Sequence, residues 1–329
     1  MTDTPQRPIS LAVVGAGAIG RGWAALAVAH GRPVAIFDTD VLAADAAMTE
    51  IAGRVHALVA LGRATPAVAD AGLSSLRAGR SLLQACGDAD WIIEAVTEDL
   101  ALKQRLFENL DELALHGAII SSSSSGLPMT EIGARCRDQT RLVVTHPLNP
   151  PELIPLIEVV PGKFTAPQTV ETVSEWLRGL GRIPIALNRE VPGNVVGRIS
   201  AAVYRECIDL VLSGVVDVDE IDRAVSLGPS LGWAAAGPHL TYHLGAGEGG
   251  LGVFLQHLLQ SFEMWWGSLA QWTKLEPEQV RALTALVEKS YGSQLEHIRG
   301  ARDRRLASFL KALESSRRTS TPSAPRAGD

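Results

Sequence analysis

Two side chains close together in the chain, His146 and Glu158, are of the types that take up and steady a proton. His146 follows the apolar run Leu142–Thr145 in the segment His146-Pro147-Leu148-Asn149-Pro150, and Glu158 interrupts the apolar run Leu156–Val160. A neutral imidazole at the carboxyl end of a strand can accept the proton of a substrate hydroxyl while hydride leaves the same carbon. Such a base needs a partner that fixes its tautomer and stabilises the imidazolium. An acid inside an apolar strand is costly unless it is paired, and His146 is the candidate partner. Taken alone, a histidine after a strand is more often a satisfied core or loop residue, so the chemistry needs a hydride acceptor elsewhere in the chain.

The sequence offers a place for one. Gly15-Ala16-Gly17-Ala18-Ile19-Gly20 follows the apolar run Leu11–Val14 and precedes the helix-forming stretch Trp23–Ala29. In that strand–turn–helix setting, Gly15 makes the tight turn, Gly17 lets the backbone approach a pyrophosphate, and Gly20 lets helix and strand pack closely. Ala18 and Ile19 open a helix whose free N–H groups favour phosphate. Asp38 ends the next apolar run, Val34–Phe37, where a carboxylate accepts from both ribose hydroxyls of an adenosine. The same charge, with Asp40 beside it, repels a 2′-phosphate, and no arginine directly follows Asp38 to receive one. NAD is therefore expected over NADP. A glycine-rich turn without a ligand, and Asp38 as a turn residue or helix N-cap, are the competing readings.

These residues need a scaffold, and its pattern is legible. Up to about residue 188, short apolar runs alternate with helical stretches, which signals βα units and a parallel sheet. The strand candidates are Leu11–Val14, Val34–Phe37, Trp91–Ala95, Ala118–Ile120, Leu142–Thr145, Leu156–Val160 and Ile183–Ala186, with helical periodicity at Leu100–Leu115 and Val170–Leu180. After Pro192 no strand pattern stands out and helices run nearly to Leu313. The expected fold is an α/β Rossmann doubly wound sheet followed by an all-α C-terminal domain. Residues 1–188 form the NAD-binding domain, 189–314 the helical substrate domain, and 315–329, rich in Ser, Thr, Pro and Arg, a disordered tail.

Composition narrows the function classes. A chain of 329 residues with 46% hydrophobic and 20% charged residues fits two globular domains. Its net charge of −6 argues against a broad nucleic-acid footprint. No apolar stretch is long enough to span a bilayer, and the polar start with Pro5 and Pro8 does not fit a secretory signal. Cys86, Cys136 and Cys207 are scattered, which fits reduced thiols in the cytoplasm and neither a disulfide framework nor a metal site.

The stretches Val13–Trp23, Ala89–Phe107, Ser121–Leu127, His146–Gly162 and Val216–Gly237 together carry a resemblance. The chain resembles the L-3-hydroxyacyl-CoA dehydrogenase superfamily, and within it the branch of L-gulonate 3-dehydrogenase (lambda-crystallin) and L-carnitine dehydrogenase. The resemblance implies that His146 is the base and Glu158 its partner. It also implies Ser125 beside the substrate hydroxyl, Asn149 near the nicotinamide, Glu98 and Lys103 at the cofactor, and a homodimer through the helical domain. One departure stands out. The family's Asn in a Gly-Phe-x-x-Asn-Arg segment falls on Gly197 here, in Gly193-Asn194-Val195-Val196-Gly197-Arg198. Asn194, three positions earlier, either supplies an amide on the same helix face or caps the helix.

The substrate class follows from charge. CoA brings several phosphate charges, yet no lysine precedes Lys103, and only scattered arginines such as Arg54 and Arg63 remain. A small free 3-hydroxy acid needs one cation or a few N–H donors, and Arg198 is the candidate. Trp233, His239, Tyr242 and His243 either enclose a sugar acid or quaternary ammonium or serve as core and interface residues. Trp265, Trp266 and Trp272 read as packing or dimer contacts. Oxidation of a 3-hydroxyacyl-CoA, and a non-enzymatic crystallin-like or cofactor-binding role, are the alternatives to a free-acid dehydrogenase.

Overall fold

The apolar runs of the first half assemble into one eight-stranded sheet. In the computed structural model, which describes residues 9–292 and 295–319, the strands are β1 (Leu11–Val14), β2 (Val34–Phe37), β3 (Leu76–Ala78), β4 (Trp91–Glu94), β5 (Ile119–Ser122), β6 (Leu142–Pro147), β7 (Leu156–Pro161) and β8 (Ile183–Ala186). Their order across the sheet is β3-β2-β1-β4-β5-β6-β7-β8. The strands β1, β4 and β5 are buried along their whole length, as strands covered by helices on both faces must be. β1 lies between β2 and β4, both parallel to it. The winding reverses there, and the crevice beyond the carboxyl ends of β1 and β4 is where open sheets of this kind bind ligands.

The expectation of a parallel sheet needs correction at one edge. β7 runs antiparallel to β6, and the register sets His146 directly opposite Glu158. Residues 148–155 alone join the two strands, whereas a parallel connection takes a crossover of a dozen or more residues. The chain must turn back. A second correction is β3, a strand with no sequence counterpart: it is three residues long, and its central Arg77 is exposed. β6 extends to Pro147, so His146 lies within the strand rather than after it.

Seven helices accompany the sheet: α1 (Ala18–Ala29), α2 (Val41–Ala60), α3 (Pro66–Ser74), α4 (Leu82–Cys86), α5 (Leu100–Leu113), α6 (Met129–Ile132) and α7 (Pro167–Gly179). Their starts follow local chemistry. Asp40 caps α2 by accepting from Leu42 N–H, and Asp99 caps α5 by accepting from Leu102 N–H; such caps contribute roughly 1 kcal/mol each. α1 is built of small residues and is buried on nearly every side. α5 turns the stripe Lys103, Phe107 and Leu110 into the core, which is how a lysine comes to be buried. Trp23, Trp91 and Trp176 pack ring on ring, with centroids 5.8 and 5.7 Å apart.

The chain divides into two compact units, 1–198 and 199–329. α8 (Asn194–Leu212) begins in the first and continues into the second, followed by α9 (Val218–Leu227), α10 (Pro229–Ala236), α11 (Pro238–Gly245), α12 (Gly250–Ser268), α13 (Pro277–Tyr291) and α14 (Leu295–Thr319). Within this helical unit Trp272 Nε1 donates to Asp209, and the Ala270 N–H donates to Glu206. Tyr242 packs on Phe254, and Phe262 packs on Trp265 and Trp266. Tyr204, Ile208, Val211, Val218, Trp233 and Leu283 are among the residues lining a cavity of about 510 Å³ there. The expected tail starts too early. Ser315–Thr319 form the last turn of α14, and 320–329 lie outside the described residues. No helix among the described residues is long and apolar enough to cross a membrane.

Candidate active site

Directly opposed residues on antiparallel strands put their side chains on one face, with Cβ atoms roughly 4.5–5.5 Å apart. That register brings His146 Nδ1 to 2.7 Å from Glu158 Oε2. Glu158 is fully buried and His146 is 7% exposed. The other carboxylate oxygen, Oε1, accepts from the backbone N–H groups of Val195 (2.8 Å) and Val196 (3.0 Å) in the first turn of α8. Burial pushes the Glu158 carboxyl up, but the bonds from His146, Val196 and Val195 outweigh it and hold it below its ordinary value. An ionised carboxylate only accepts, so His146 donates from Nδ1 and keeps its lone pair on Nε2. That is the tautomer a base requires.

The serine run that ends β5 and opens the following loop is consumed one residue at a time. Ser121 Oγ accepts from Trp91 Nε1 at 2.9 Å and Ser123 Oγ from Trp23 Nε1 at 3.0 Å. Ser122 Oγ donates to Glu94 Oε2 at 2.6 Å, and Ser124 Oγ donates to Glu98 while accepting from Leu127 N–H. Ser125 is exposed and makes no hydrogen bond among the described residues. Four hydroxyls fix the strand end and the loop after it, and the fifth stays available.

Lys103, only 1% exposed, holds Glu94 at 2.6 Å and Glu98 at 3.2 Å. Burial raises the Glu98 carboxyl, but Ser124 and Lys103 together bring it below its ordinary value. Glu94 is not among the residues singled out from the sequence, though it is an acid at the end of the apolar strand β4, as Glu158 is an acid within β7. The N–H groups of Val195 and Val196 carry no side-chain signal at all. Another unforeseen pair joins the loop after His146 to α2: Arg54 Nη1 lies 2.7 Å from the buried Glu152.

The glycine turn fits a dinucleotide. Gly15 has φ +107°, and a Cβ there would meet Ala95 O at 2.5 Å; one at Gly20 would meet Gly15 O at 1.9 Å. Packing therefore demands both glycines. A Cβ at Gly17 would meet nothing within 4 Å, so protein packing does not require that glycine, while the approach of a pyrophosphate does. No side chain caps the start of α1, where Ala18 and Ile19 lie, and no acid stands in its first turn; both features suit an anion. Asp38 Oδ2 accepts from Ala16 N–H at 2.8 Å and Oδ1 from Asp40 N–H at 3.0 Å. Its carboxylate is thus fixed against the turn, and the cap of α2 is Asp40 rather than Asp38. Asn149 is exposed in the loop after β6.

Residues 10–191 match the family model described as 3-hydroxyacyl-CoA dehydrogenase, NAD binding domain, and residues 193–282 match that described as 3-hydroxyacyl-CoA dehydrogenase, C-terminal domain. The chain is 38% identical to L-carnitine dehydrogenase of Streptomyces griseus subsp. griseus over 323 residues, covering 94% of this chain and 93% of that one. It is 35% identical to a 3-hydroxyacyl-CoA dehydrogenase of Gibberella moniliformis over 322 residues, covering 95% and 98%. Among solved structures, the NAD+-dependent dismutase 5-formyl-3-hydroxy-2-methylpyridine 4-carboxylic acid 5-dehydrogenase matches at 30% identity with a TM-score of 0.79, over 93% of this chain and 99% of that one.

Proposed function

The chain belongs to the 3-hydroxyacyl-CoA dehydrogenase family and is an NAD-dependent oxidoreductase; on that premise we propose that it oxidises the 3-hydroxyl of a small free 3-hydroxy acid, of the carnitine or gulonate kind, to the 3-oxo acid. The observation that carries the proposal is the buried His146–Glu158 pair. His146 Nε2 takes the hydroxyl proton, and the imidazolium so formed is stabilised by Glu158. Two N–H groups of α8 hold that carboxylate in place. Ser125 steadies the substrate oxygen as it becomes a carbonyl. NAD, when bound, supplies the hydride acceptor. Gly15, Gly17, Ala18, Ile19, Gly20 and Asp38 would hold its phosphates and adenosine ribose, with Glu98 and Asn149 toward the nicotinamide. Lys103 contributes by neutralising Glu94 and Glu98 rather than by reaching a phosphate.

The free acid is favoured over a thioester by the state of the cations. Lysine is absent before Lys103, and Lys103 itself is buried between two carboxylates. Arg21 pairs with Glu50, Arg54 with Glu152 and Arg80 with Asp45, which leaves little for the phosphates of CoA. Arg198 makes one long contact, from Nη1 to Pro192 O at 3.5 Å, and is the candidate for the substrate carboxylate. The thioester reading keeps one support, the 35% identity to a 3-hydroxyacyl-CoA dehydrogenase.

The same reading includes a homodimer through the helical unit and a cytoplasmic location. Exposed Leu231, Met264, Trp265 and Trp266 support the dimer. Cys86 and Cys136 are free and buried, and burial pushes both thiols up to about 12, which keeps them unreactive. The test is His146→Ala: turnover on L-carnitine should fall on the order of 10²–10⁴-fold with NAD affinity unchanged. Wild-type kcat in that variant would place the base elsewhere.

A further inference from the structure

The loop between β6 and β7, residues 148–155, carries a carboxylate that the proton-transfer pair does not use. Glu152 is 7% exposed, and its Oε1 accepts from Arg54 Nη1 of α2 at 2.7 Å. Its other oxygen, Oε2, is sealed from solvent and has no hydrogen-bond partner. That oxygen rests against α1 at Gly22, where a Cβ would meet Oε2 at 2.7 Å and Pro151 Cδ at 2.7 Å. A buried ion pair of this kind is a poor source of stability. An apolar side chain of similar size would pack there without the desolvation penalty and without the unpaired oxygen. Stability does not account for Glu152; what it holds in place does.

The loop begins directly after the base. His146 and Pro147 end β6, and Asn149 stands exposed three residues before Glu152. The N–H groups of Leu153 and Ile154 both donate to Pro150 O, at 3.1 and 3.0 Å, which makes the loop a compact turn. Three elements grip it. α1 touches it at Gly22, and α2 holds it through Arg54. Just before β8, Arg182 sets its Nη1 3.4 Å from Glu152 O and 3.3 Å from Ile154 O. α2 is in turn tied to the glycine turn. Arg21 donates from Nε to Gly17 O at 3.3 Å and pairs with Glu50, one helical turn before Arg54. One chain of contacts therefore runs from Gly17, where a pyrophosphate approaches, to the loop that bears Asn149.

We propose that Glu152 is a positioning residue: latched by Arg54, it seats the loop 148–155 on α1 and α2 and so aligns Asn149 and the base with the nicotinamide. The proposal rests on the reading that puts Asn149 toward the nicotinamide, whichever 3-hydroxy substrate is oxidised. Hydride transfer is sensitive to distance and angle, and a misplacement of about 1 Å caused far from the reacting atoms can cost about 10²-fold. The rival explanation is that the pair only stabilises the fold. Glu152→Leu separates the two, because it removes the charge and the sealed oxygen together, while the partly exposed Arg54 turns to water.

The experiment compares wild type, Glu152→Leu, Arg54→Met, the double variant and Asn149→Ala. It reads kcat, Tm and the primary deuterium isotope effect on kcat, using L-carnitine or 3-hydroxybutyryl-CoA, whichever the wild type oxidises faster, deuterated at the reacting carbon. Glu152→Leu should keep or raise Tm yet lose about 10- to 100-fold in kcat. Its isotope effect should grow as hydride transfer replaces product release as the slow step. Arg54→Met leaves a buried carboxylate without its counter-ion and should lower Tm as well. The double variant should be no slower than Glu152→Leu, since both changes break one latch. Wild-type kcat and isotope effect in Glu152→Leu, with Asn149→Ala impaired, would overturn the proposal, and so would kinetic losses that add in the double variant. Wild-type kinetics in Asn149→Ala would instead remove the reading of Asn149, and this proposal with it.

Discussion

Glu158→Gln replaces one carboxylate oxygen with NH₂ and removes a charge while keeping the shape. Three donors face that carboxylate, from His146, Val195 and Val196, and a glutamine has one oxygen with which to answer them. If the oxygen stays with the two backbone N–H groups, the NH₂ donates to His146 Nδ1 and the imidazole proton moves to Nε2. The base is then blocked, and kcat should fall about 10²-fold, toward the low end of the range for loss of a general base. That loss is less severe than the one expected of His146→Ala. If the amide flips, its NH₂ meets two N–H donors in a fully buried site. Leaving them unsatisfied costs about 1–3 kcal/mol, which shows as a lower Tm. The assay is steady-state kcat on L-carnitine beside thermal unfolding from pH 7 down to pH 3. Because the folded-state pKa of Glu158 is lowered, its ionisation contributes stability above the unfolded value of about 4.3, and that contribution is lost as pH falls through the folded value. The Tm gap between wild type and variant should therefore narrow in acid. A variant with unchanged kcat and a gap independent of pH would refute the assignment of Glu158.

Two further outcomes follow from the cofactor side. NAD should be preferred over NADP by at least about tenfold in kcat/KM, because the Asp38 charge meets the 2′-phosphate, and Asp38→Ala should relax that ratio without abolishing turnover. Equal use of both cofactors by wild type would sink that role for Asp38. Lys103→Met leaves Glu94 and Glu98 without their counter-ion and should destabilise the fold by about 3–5 kcal/mol in urea unfolding. A stable Met variant whose NAD affinity alone had dropped would make Lys103 a cofactor ligand instead.

Much of this was legible because the chemistry leaves marks in apolar runs. Glu158 stands out in β7 as an acid where only apolar residues are expected, and the glycine turn stands out by its place between strand and helix. Glu94 carries the same mark in β4 and points to Lys103 by the same logic. The antiparallel edge also leaves a mark, since residues 148–155 are too few for a crossover, but the alternation of strands and helices reads as parallel throughout. Other features leave no mark. Leu76–Ala78 is too short and too polar to read as a strand. The anchoring of Glu158 by Val195 and Val196 is a backbone interaction and depends on the left-handed turn at Gly193 and Asn194. Ser125 differs from its four neighbours only in making no bond, which tertiary structure alone decides. The last turn of α14 reads as tail because its Ser, Arg and Thr residues offer almost no apolar surface.

The central claim is that the proton-transfer pair serves a free 3-hydroxy acid rather than a thioester. The most direct measurement is kcat/KM with NAD on L-carnitine, gulonate and 3-hydroxybutyrate beside 3-hydroxybutyryl-CoA, at one pH and ionic strength. The account predicts that a free acid wins by more than about tenfold, or about 1.4 kcal/mol of transition-state preference. A thioester winning by the same margin would contradict it.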